Sequence, residues 1–406
     1  MAEARPLDGF ARAAKDGRPL RSPPLPFTRA ELERVCSPLE QASQLPPVAY
    51  FDEEVFAFEQ DTLFAKSWIA VGREEEIALP GAFLRARVAG EDLVIVRGAD
   101  LRCRAFHNVC RHRGAPLCTS DSGRSAAIRC PYHGWTWELS GALREAPHTG
   151  SLQGFDAADQ GLAPARVEIW QGFVFVTLDE GSPPLGASLH PAPPRLAGMS
   201  LLHLRLGRRR RYSVAANWKL LVENFQESLH FSAIHPGLER LTPSARADSV
   251  LGDGPWLGGT MDIVDGRETV SMDGLLHGRP LLAGTGPNDQ RRVFDALLFP
   301  ALLWSVQPDY LLTYRLTPLS TRETSVVADI HFHSAAFGPH FDPAEVYAFW
   351  DGVNEEDRAI CEQQQMALRS RAHRPGRYTS VEDGVHAFDR RLARHYLEGV
   401  PAESRG

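Results

Sequence analysis

The sequence predicts an α+β protein of two domains, a small all-β unit followed by a larger one in which strands are closed by helices. Three observations carry this. Glycines separate the short alternating runs "FLRARVAG", "DLVIVRG", "LRCRAFHNV", "AAIRCPYHGWTWEL" and "VEIWQGFVFVTLD", the pattern of brief strands joined by turns. A Pro/Gly-rich stretch, "EGSPPLGASLHPAPPR" (180–195), reads as a linker. A chain of 406 residues is also long for a single core.

Residues 1–45 are rich in Pro, Arg and Ala, with one short helical pattern, "TRAELERVCSPLEQAS", and read as an N-terminal arm. Residues 46–179 form the first domain, led by a helix within "AYFDEEVFAFEQDTLFAKSWIAVG", whose apolar positions recur at 3–4 spacing. Beyond the linker, 196–406 form the second domain. It opens with strand-like "RRRRYSVA" and a helix from about Trp218, and mixed strands fill 248–335. A closing helix starts at a capping box: Asp342 as N-cap, Pro343 at N1, Glu345 reaching back. No repeat or low-complexity tract is present.

Net charge is −7, which gives no bulk attraction to nucleic acid or anionic membranes. No run approaches the ~18 apolar residues of a membrane span, and "MAEARPLDGF" lacks the features of a signal peptide. The expected location is cytoplasmic, where six cysteines stay reduced.

Four of the ligand-type residues form a constellation. Cys110 and His112 are followed, after seventeen residues, by Cys130 and His133. A structural Cys2His2 zinc site is one reading, but such sites usually pair cysteine with cysteine. Here each loop offers one thiol and one imidazole, which suits a [2Fe–2S] cluster with both thiolates on one iron and both imidazoles on the other. Gly114 and Gly134 allow close backbone approach, and Pro131 stiffens its loop. "CRHRG" and "CPYHGWTW" resemble the two halves of the Rieske motif. His107 and Cys118, outside the pattern, read as packing residues.

A cluster of this kind moves one electron and binds no substrate, so the remaining residues invite a second site. "NWKLLVENFQESLHFSAIHP" (217–236) holds His230 and His235. On a regular helix they would point about 140° apart. They converge only if the helix ends between them, which Pro236 favours. Glu223, Glu227 and His230 share one helical stripe, which a solvated face would also explain. In the closing helix Val346, Phe349, Trp350, Val353, Ile360 and Cys361 make an apolar stripe, and Asp357 falls within it. A carboxylate there is costly without a cation or strong donors. Two histidines and a carboxylate would make the facial triad of non-haem iron(II). Asp351, Glu355 and Glu356 are alternative carboxylates off that stripe.

The two segments "NWKLLVENFQESLHFSAIHP" and "FWDGVNEEDRAICEQQQ" resemble the iron-binding helices of Rieske non-haem iron oxygenase α-subunits. The resemblance implies a helix-grip (START-like) catalytic domain, an antiparallel sheet covered by helices. It makes His230, His235 and Asp357 ligands of a mononuclear Fe(II) that meets O2, and Cys110, His112, Cys130 and His133 ligands of the cluster. Glu227 stands where the family usually has an aspartate coupling the two centres, as in members that oxidise quaternary ammonium compounds. The implied activity is monooxygenation, by hydroxylation or oxidative demethylation, of a small substrate such as a quaternary amine. Aromatic-ring dioxygenation is the alternative; an electron-transfer protein and a zinc hydrolase on His230 and His235 are further readings. No G-x-G-x-x-G element follows a strand. NAD(P)H electrons would therefore arrive through a separate flavin/iron–sulfur reductase, with or without a ferredoxin. The resemblance further implies a homotrimer; whether a β-subunit accompanies it is not written in this chain, though the Glu-type resemblance favours α-subunits alone.

Three lesser expectations complete the reading. Trp256, Met272, Phe299, Trp304 and Tyr314 are available for the pocket wall. His331 and His333 share a strand face and suit packing or solvent. Arg208 to Arg211 read as a solvated strand end, leaving Arg111 and Arg113 as better docking groups for an electron donor.

Overall fold

The structure, a computed structural model, describes residues 25–199, 201–251, 254–282, 286 and 289–400. The first half holds ten strands: β1 (Ile69–Arg73), β2 (Ala82–Val88), β3 (Glu91–Arg97), β4 (Cys103–His107), β5 (Ser122–Arg124), β6 (Ile128–Arg129), β7 (Thr136–Trp137), β8 (Leu143–Glu145), β9 (Pro164–Trp170) and β10 (Phe173–Thr177). Seven of them form one antiparallel sheet in the order β1-β10-β9-β4-β3-β2-β5, and β6-β7-β8 form a small second sheet. This small sheet carries the "CPYHGW" loop between β6 and β7, while the "CRHRG" loop follows β4.

The second half is built on another seven-stranded antiparallel sheet. Its strands are β11 (Leu204–Val214), β12 (Ala247–Leu251), β13 (Trp256–Asp262), β14 (Arg292–Leu298), β15 (Leu302–Val306), β16 (Tyr310–Ser320) and β17 (Glu323–His333), in the order β11-β17-β16-β15-β14-β13-β12. Strand alternation gives the sheet two unlike faces. On β14, Val293 and Leu297 join the core beneath the helices, whereas Phe294, Ala296 and Leu298 pack toward the first domain with Phe173, Phe175 and Trp304.

Nine helices appear among the described residues. They are α1 (Arg29–Val35), α2 (Glu53–Glu59), α3 (Leu185–Ser188), α4 (Pro194–Gly198), α5 (Trp218–Phe225), α6 (Phe231–Ile234), α7 (Pro236–Leu241), α8 (Ala344–Ala367) and α9 (Asp383–Gly399). Asn217 caps α5, its side chain accepting from the Lys219 N–H. Helix α8 starts later than the sequence suggests. Asp342 accepts from the Ala344 N–H at 3.1 Å, but Pro343 is the cap residue, and Glu345 turns away to bond Arg279 instead of closing a box.

Four expectations are corrected by packing. The 1–45 arm is not an arm where the structure describes it: Thr28 and Glu31 form a capping box, and the buried Leu32 and Val35 enter the core of the second domain with α9. Residues 1–24 lie outside the described residues. Leading helix α2 does the same through Val55, and Phe64 in the turn after it meets Trp218 edge-on, next to Phe388. The 180–195 linker folds as a joint, since Leu185, Leu189 and Leu196 are buried between the two sheets. Nor is the arginine row a solvated end. Arg208 and Arg210 bind Asp351 of α8, and Arg209 bridges Asp329 on β17 and Glu76 of the first domain.

Candidate functional site

The two loops of the first domain close in the same way. The Cys110 N–H donates to the Ala115 carbonyl at 2.8 Å, and the Gly114 N–H returns to the Cys110 carbonyl at 3.0 Å. In the other loop Cys130 donates to Trp135 at 2.8 Å and Gly134 to Cys130 at 3.2 Å. Gly114 and Gly134 have φ of +72° and +74°, a conformation that favours glycine. Nothing crowds a Cβ at Gly114, so φ alone demands glycine there.

Matched turns bring the four side chains together. The Cys110 and Cys130 thiols are buried and adjacent, while the His112 and His133 rings stand outside them at 4.8 Å between centroids. Trp135 stacks flat on His112 at 5.0 Å, with 3° between the ring planes. Burial pushes the Cys110 thiol above its ordinary pKa. Two facing buried thiols with imidazoles at their rim are therefore a donor set that needs a cation to ionise, which fits the iron–sulfur group.

The second constellation forms where the helix breaks. Helix α5 ends at Phe225, α6 begins after His230, and His235 lies between α6 and α7 at φ −116°, ψ 66°. Pro236 follows as the first residue of α7. Against the expectation of a helix that ends between them, the single turn of α6 joins the two histidines, with Ile234 and His235 N–H groups donating to the His230 and Phe231 carbonyls, and the helix ends at His235 itself. The two imidazoles lie 4.9 Å apart at 75°. Helix α8 supplies Asp357 from across the site. Among the described residues, His230, His235 and Asp357 are the group able to hold a single ion, with ligand atoms all within 4.8 Å of one another.

Hydrogen bonds fix both rings. Glu227 accepts from the His230 backbone N–H at 3.2 Å and holds Nδ1 at 2.6 Å, leaving Nε2 toward Asp357 at 3.7 Å. His235 bonds Asp357 through Nε2 at 2.8 Å and Glu356 through Nδ1 at 2.7 Å. Burial opposes its charged form, yet the two carboxylates win and hold it above the ordinary histidine pKa. Two imidazole nitrogens and a carboxylate oxygen facing one another within 4.8 Å are a donor set that fits a divalent metal. Glu356 and Asn224, whose amide lies 3.5 Å from His230 Nε2, are site residues that the sequence reading did not select. Glu356 appeared only as an alternative ligand, off the apolar stripe.

Above these three residues lies a pocket, partly open to solvent, lined by Phe225, Phe231, Tyr314 and Trp350 among others. Of the five expected wall residues only Tyr314 lines it. Trp256 and Trp304 face the joint between the sheets, Met272 is exposed, and Phe299 packs on Phe388 and Arg391. For the two tryptophans sheet alternation decided this, because neighbouring residues on one strand face opposite sides. His331 is buried at the joint and His333 accepts from the Ala335 N–H, so neither approaches the triad.

Two separate donor sets, one for an electron-carrying cluster and one for a single ion beneath a pocket, define a two-centre redox metalloenzyme. Family models agree. Residues 67–156 match the Rieske [2Fe-2S] domain, and 201–398 match the ring hydroxylating alpha subunit catalytic domain. The glycine betaine monooxygenase oxygenase subunit of Pseudomonas aeruginosa is 30% identical over 397 residues, 90% of this chain and 92% of its own. The carnitine monooxygenase oxygenase subunit of Acinetobacter pittii is 37% identical over 226 residues, covering 55% and 59%. Among solved structures, the quaternary ammonium Rieske monooxygenase CntA superposes with a TM-score of 0.78 at 27% identity, over 89% of this chain and 97% of that one. Naphthalene 1,2-dioxygenase from Rhodococcus shares the fold, with a TM-score of 0.75 at 18% identity over 93% and 98%.

The chain belongs to the Rieske-type ring-hydroxylating oxygenase α-subunit family. It is an oxidoreductase with a Rieske cluster, a mononuclear iron and O2 as co-substrate. Among the described residues, no helix is long and apolar enough to cross a membrane.

Proposed function

We propose that this chain is the oxygenase component of a monooxygenase that oxidises an N-methylated quaternary ammonium compound. The observation that carries it is the convergence of His230, His235 and Asp357 below an aromatic-walled pocket, with ligand atoms within 4.8 Å of one another. The glycine betaine and carnitine relatives, and the resemblance to CntA, support the substrate class.

In this reading Cys110, His112, Cys130 and His133 hold the cluster and His230, His235 and Asp357 hold the iron. The bound metals supply electron storage and an O2 site. The net reaction consumes O2, two electrons and two protons, turning one C–H bond into C–OH and releasing water. The chain's own residues orient and exclude. Glu227 and Glu356 fix the two imidazoles, and Phe225, Phe231, Tyr314 and Trp350 give the pocket apolar walls that limit water. Electrons come from a cytoplasmic NAD(P)H-dependent flavin/iron–sulfur reductase, directly or through a ferredoxin. The exposed His112 and His133 edges, flanked by Arg111 and Arg113, receive them. Subunits assemble as a homotrimer in which Glu227 links the iron of one protomer to the cluster of the next.

Iron and acid-labile sulfide, assayed on anaerobically purified wild type and Asp357→Ala, test the assignment. Three irons and two sulfides per chain, falling to two irons in the variant with the Rieske spectrum intact, are expected. Two irons in both proteins after reloading with Fe(II) would sink the oxygenase reading.

A further inference from the structure

Asp295 has no task in the machinery described so far. It sits on β14 between Val293 and Leu297, on the face that looks into the pocket rather than toward the joint. Two other pocket carboxylates are engaged, Glu227 by His230 and Asp357 by His235. One Asp295 oxygen, Oδ1, is buried with no hydrogen-bond partner. An apolar residue at this strand position would continue the Val293–Leu297 pattern without cost, whereas an unmatched carboxylate inside the protein is expensive. Its neighbours offset its charge only in part. Ser305, its register partner on β15, hydrogen-bonds the carboxyl but is uncharged, and its hydroxyl also receives the Gln307 amide at 2.8 Å. Arg195, on α4, acts on Asp295 at a distance without a hydrogen bond to it; its Nη2 goes to the Asp289 and Arg292 carbonyls, and its Nε and Nη1 are buried without a hydrogen-bond partner. The guanidinium in the pocket lining, Arg358, is held by Glu355.

The surroundings are those a cation would use. The Phe225 and Tyr314 rings meet edge-to-face at 6.2 Å in the same lining as Asp295, and ring faces attract onium groups that have no N–H to donate. Tyr314, Asp357 and Asp295 all line the same pocket, with the Tyr314 hydroxyl donating to Asn354 at 2.7 Å.

We infer that Asp295 is the specificity-determining residue of the pocket, the counter-ion that meets the positive nitrogen of the substrate. The inference rests on the quaternary ammonium reading and names the group that enforces it. Consistent with a charge awaiting its partner, burial pushes the Asp295 carboxyl up to about 7, against the milder influence of Ser305 and Arg195. A bound cation would favour its ionised form.

The experiment compares kcat/KM for a trimethylammonium alcohol with that for its neutral isostere, in which carbon replaces nitrogen. Wild type, Asp295→Asn and Asp295→Glu are assayed, with iron content and the Rieske spectrum as checks on folding. Wild type should prefer the cation, the Asn variant should lose that preference by about 30-fold or more, and the Glu variant should regain most of it. An Asn variant that keeps the wild-type preference overturns the inference while leaving the substrate reading intact. So does a wild type that handles the neutral isostere equally well, whether or not the Asn variant folds. If wild type oxidises no quaternary ammonium compound, the substrate reading fails instead. Tetramethylammonium binding by calorimetry then decides: binding lost in the Asn variant supports the role of Asp295, and absent or unchanged binding overturns it.

Discussion

At the scale of single residues, His235 is held by a carboxylate at each ring nitrogen, and the two were unequally visible in the sequence. Asp357 stood out because it interrupts an apolar stripe, and a charge in such a place requires an explanation. Glu356 is the next residue back along α8, turned about 100° round the helix onto a half-exposed face where acids are ordinary. Its meaning lies in a contact with a histidine 121 positions away, which no local pattern records. Removing it should free the His235 ring to rotate while leaving every proposed ligand in place. Glu356→Ala is expected to weaken Fe(II) binding by about 10–100-fold, as loss of a partner behind a metal-ligating histidine usually does. Anaerobic Fe(II) titration reads this directly, and an unchanged Rieske spectrum separates the effect from unfolding.

The strands were legible because short alternating runs between glycines have few other interpretations, and the helix end at His235 was legible from Pro236. A proline can start α7 but cannot continue α6, because it lacks the N–H and its ring clashes with the preceding turn. Pro236→Ala removes that stop. A helix running through 231–241 would pull His235 out of its φ −116°, ψ 66° conformation and turn its ring away from Asp357, so iron occupancy should fall well below one per chain. Metal analysis beside an intact cluster spectrum checks it, and full occupancy would mean that Glu356 and Asp357 alone hold the break. The destination of α1 was not legible. Its pattern showed a short amphipathic helix, but its partner α9 lies some 350 residues further along. Leu32→Ala, at a fully buried site in that contact, is expected to cost about 2–5 kcal/mol by the usual penalty for a core cavity. Denaturant unfolding followed at the tryptophans of the second domain would register it, whereas a detached arm would leave the curve unmoved.

For the whole molecule, the question is what holds the cluster domain in a fixed relation to the pocket. Composition suggested a flexible linker, and the Pro/Gly content hid the buried Leu185, Leu189 and Leu196. Charge supplies the other half of the joint. Arg209 on β11 is bound by Asp329 of β17 and by Glu76 of the first domain, and Arg315 approaches Asp329 at 3.2 Å. Burial alone would raise the pKa of both acids, but the Arg209 hydrogen bonds outweigh it and both carboxyls lie below their ordinary values. Acids depressed in this way add stability that is fully present above their unfolded pKa values, near 4 to 4.5. It drains away as the pH falls through the lower folded values. Stability should therefore be level in this term from neutral pH to about 5 and decline below it. Arg209→Ala inverts the arrangement by leaving the buried Asp329 short of its main partner, at a cost of about 3–5 kcal/mol. The variant's carboxyls then lose the interaction that depressed them, so its stability should decline less on acidification than that of wild type. Thermal unfolding of the two proteins from pH 7 down to about pH 2 measures both effects. Converging curves at low pH would support the charge clasp as the fastening between domains. Parallel curves would assign that role to the apolar joint around Phe173, Trp304 and Leu196.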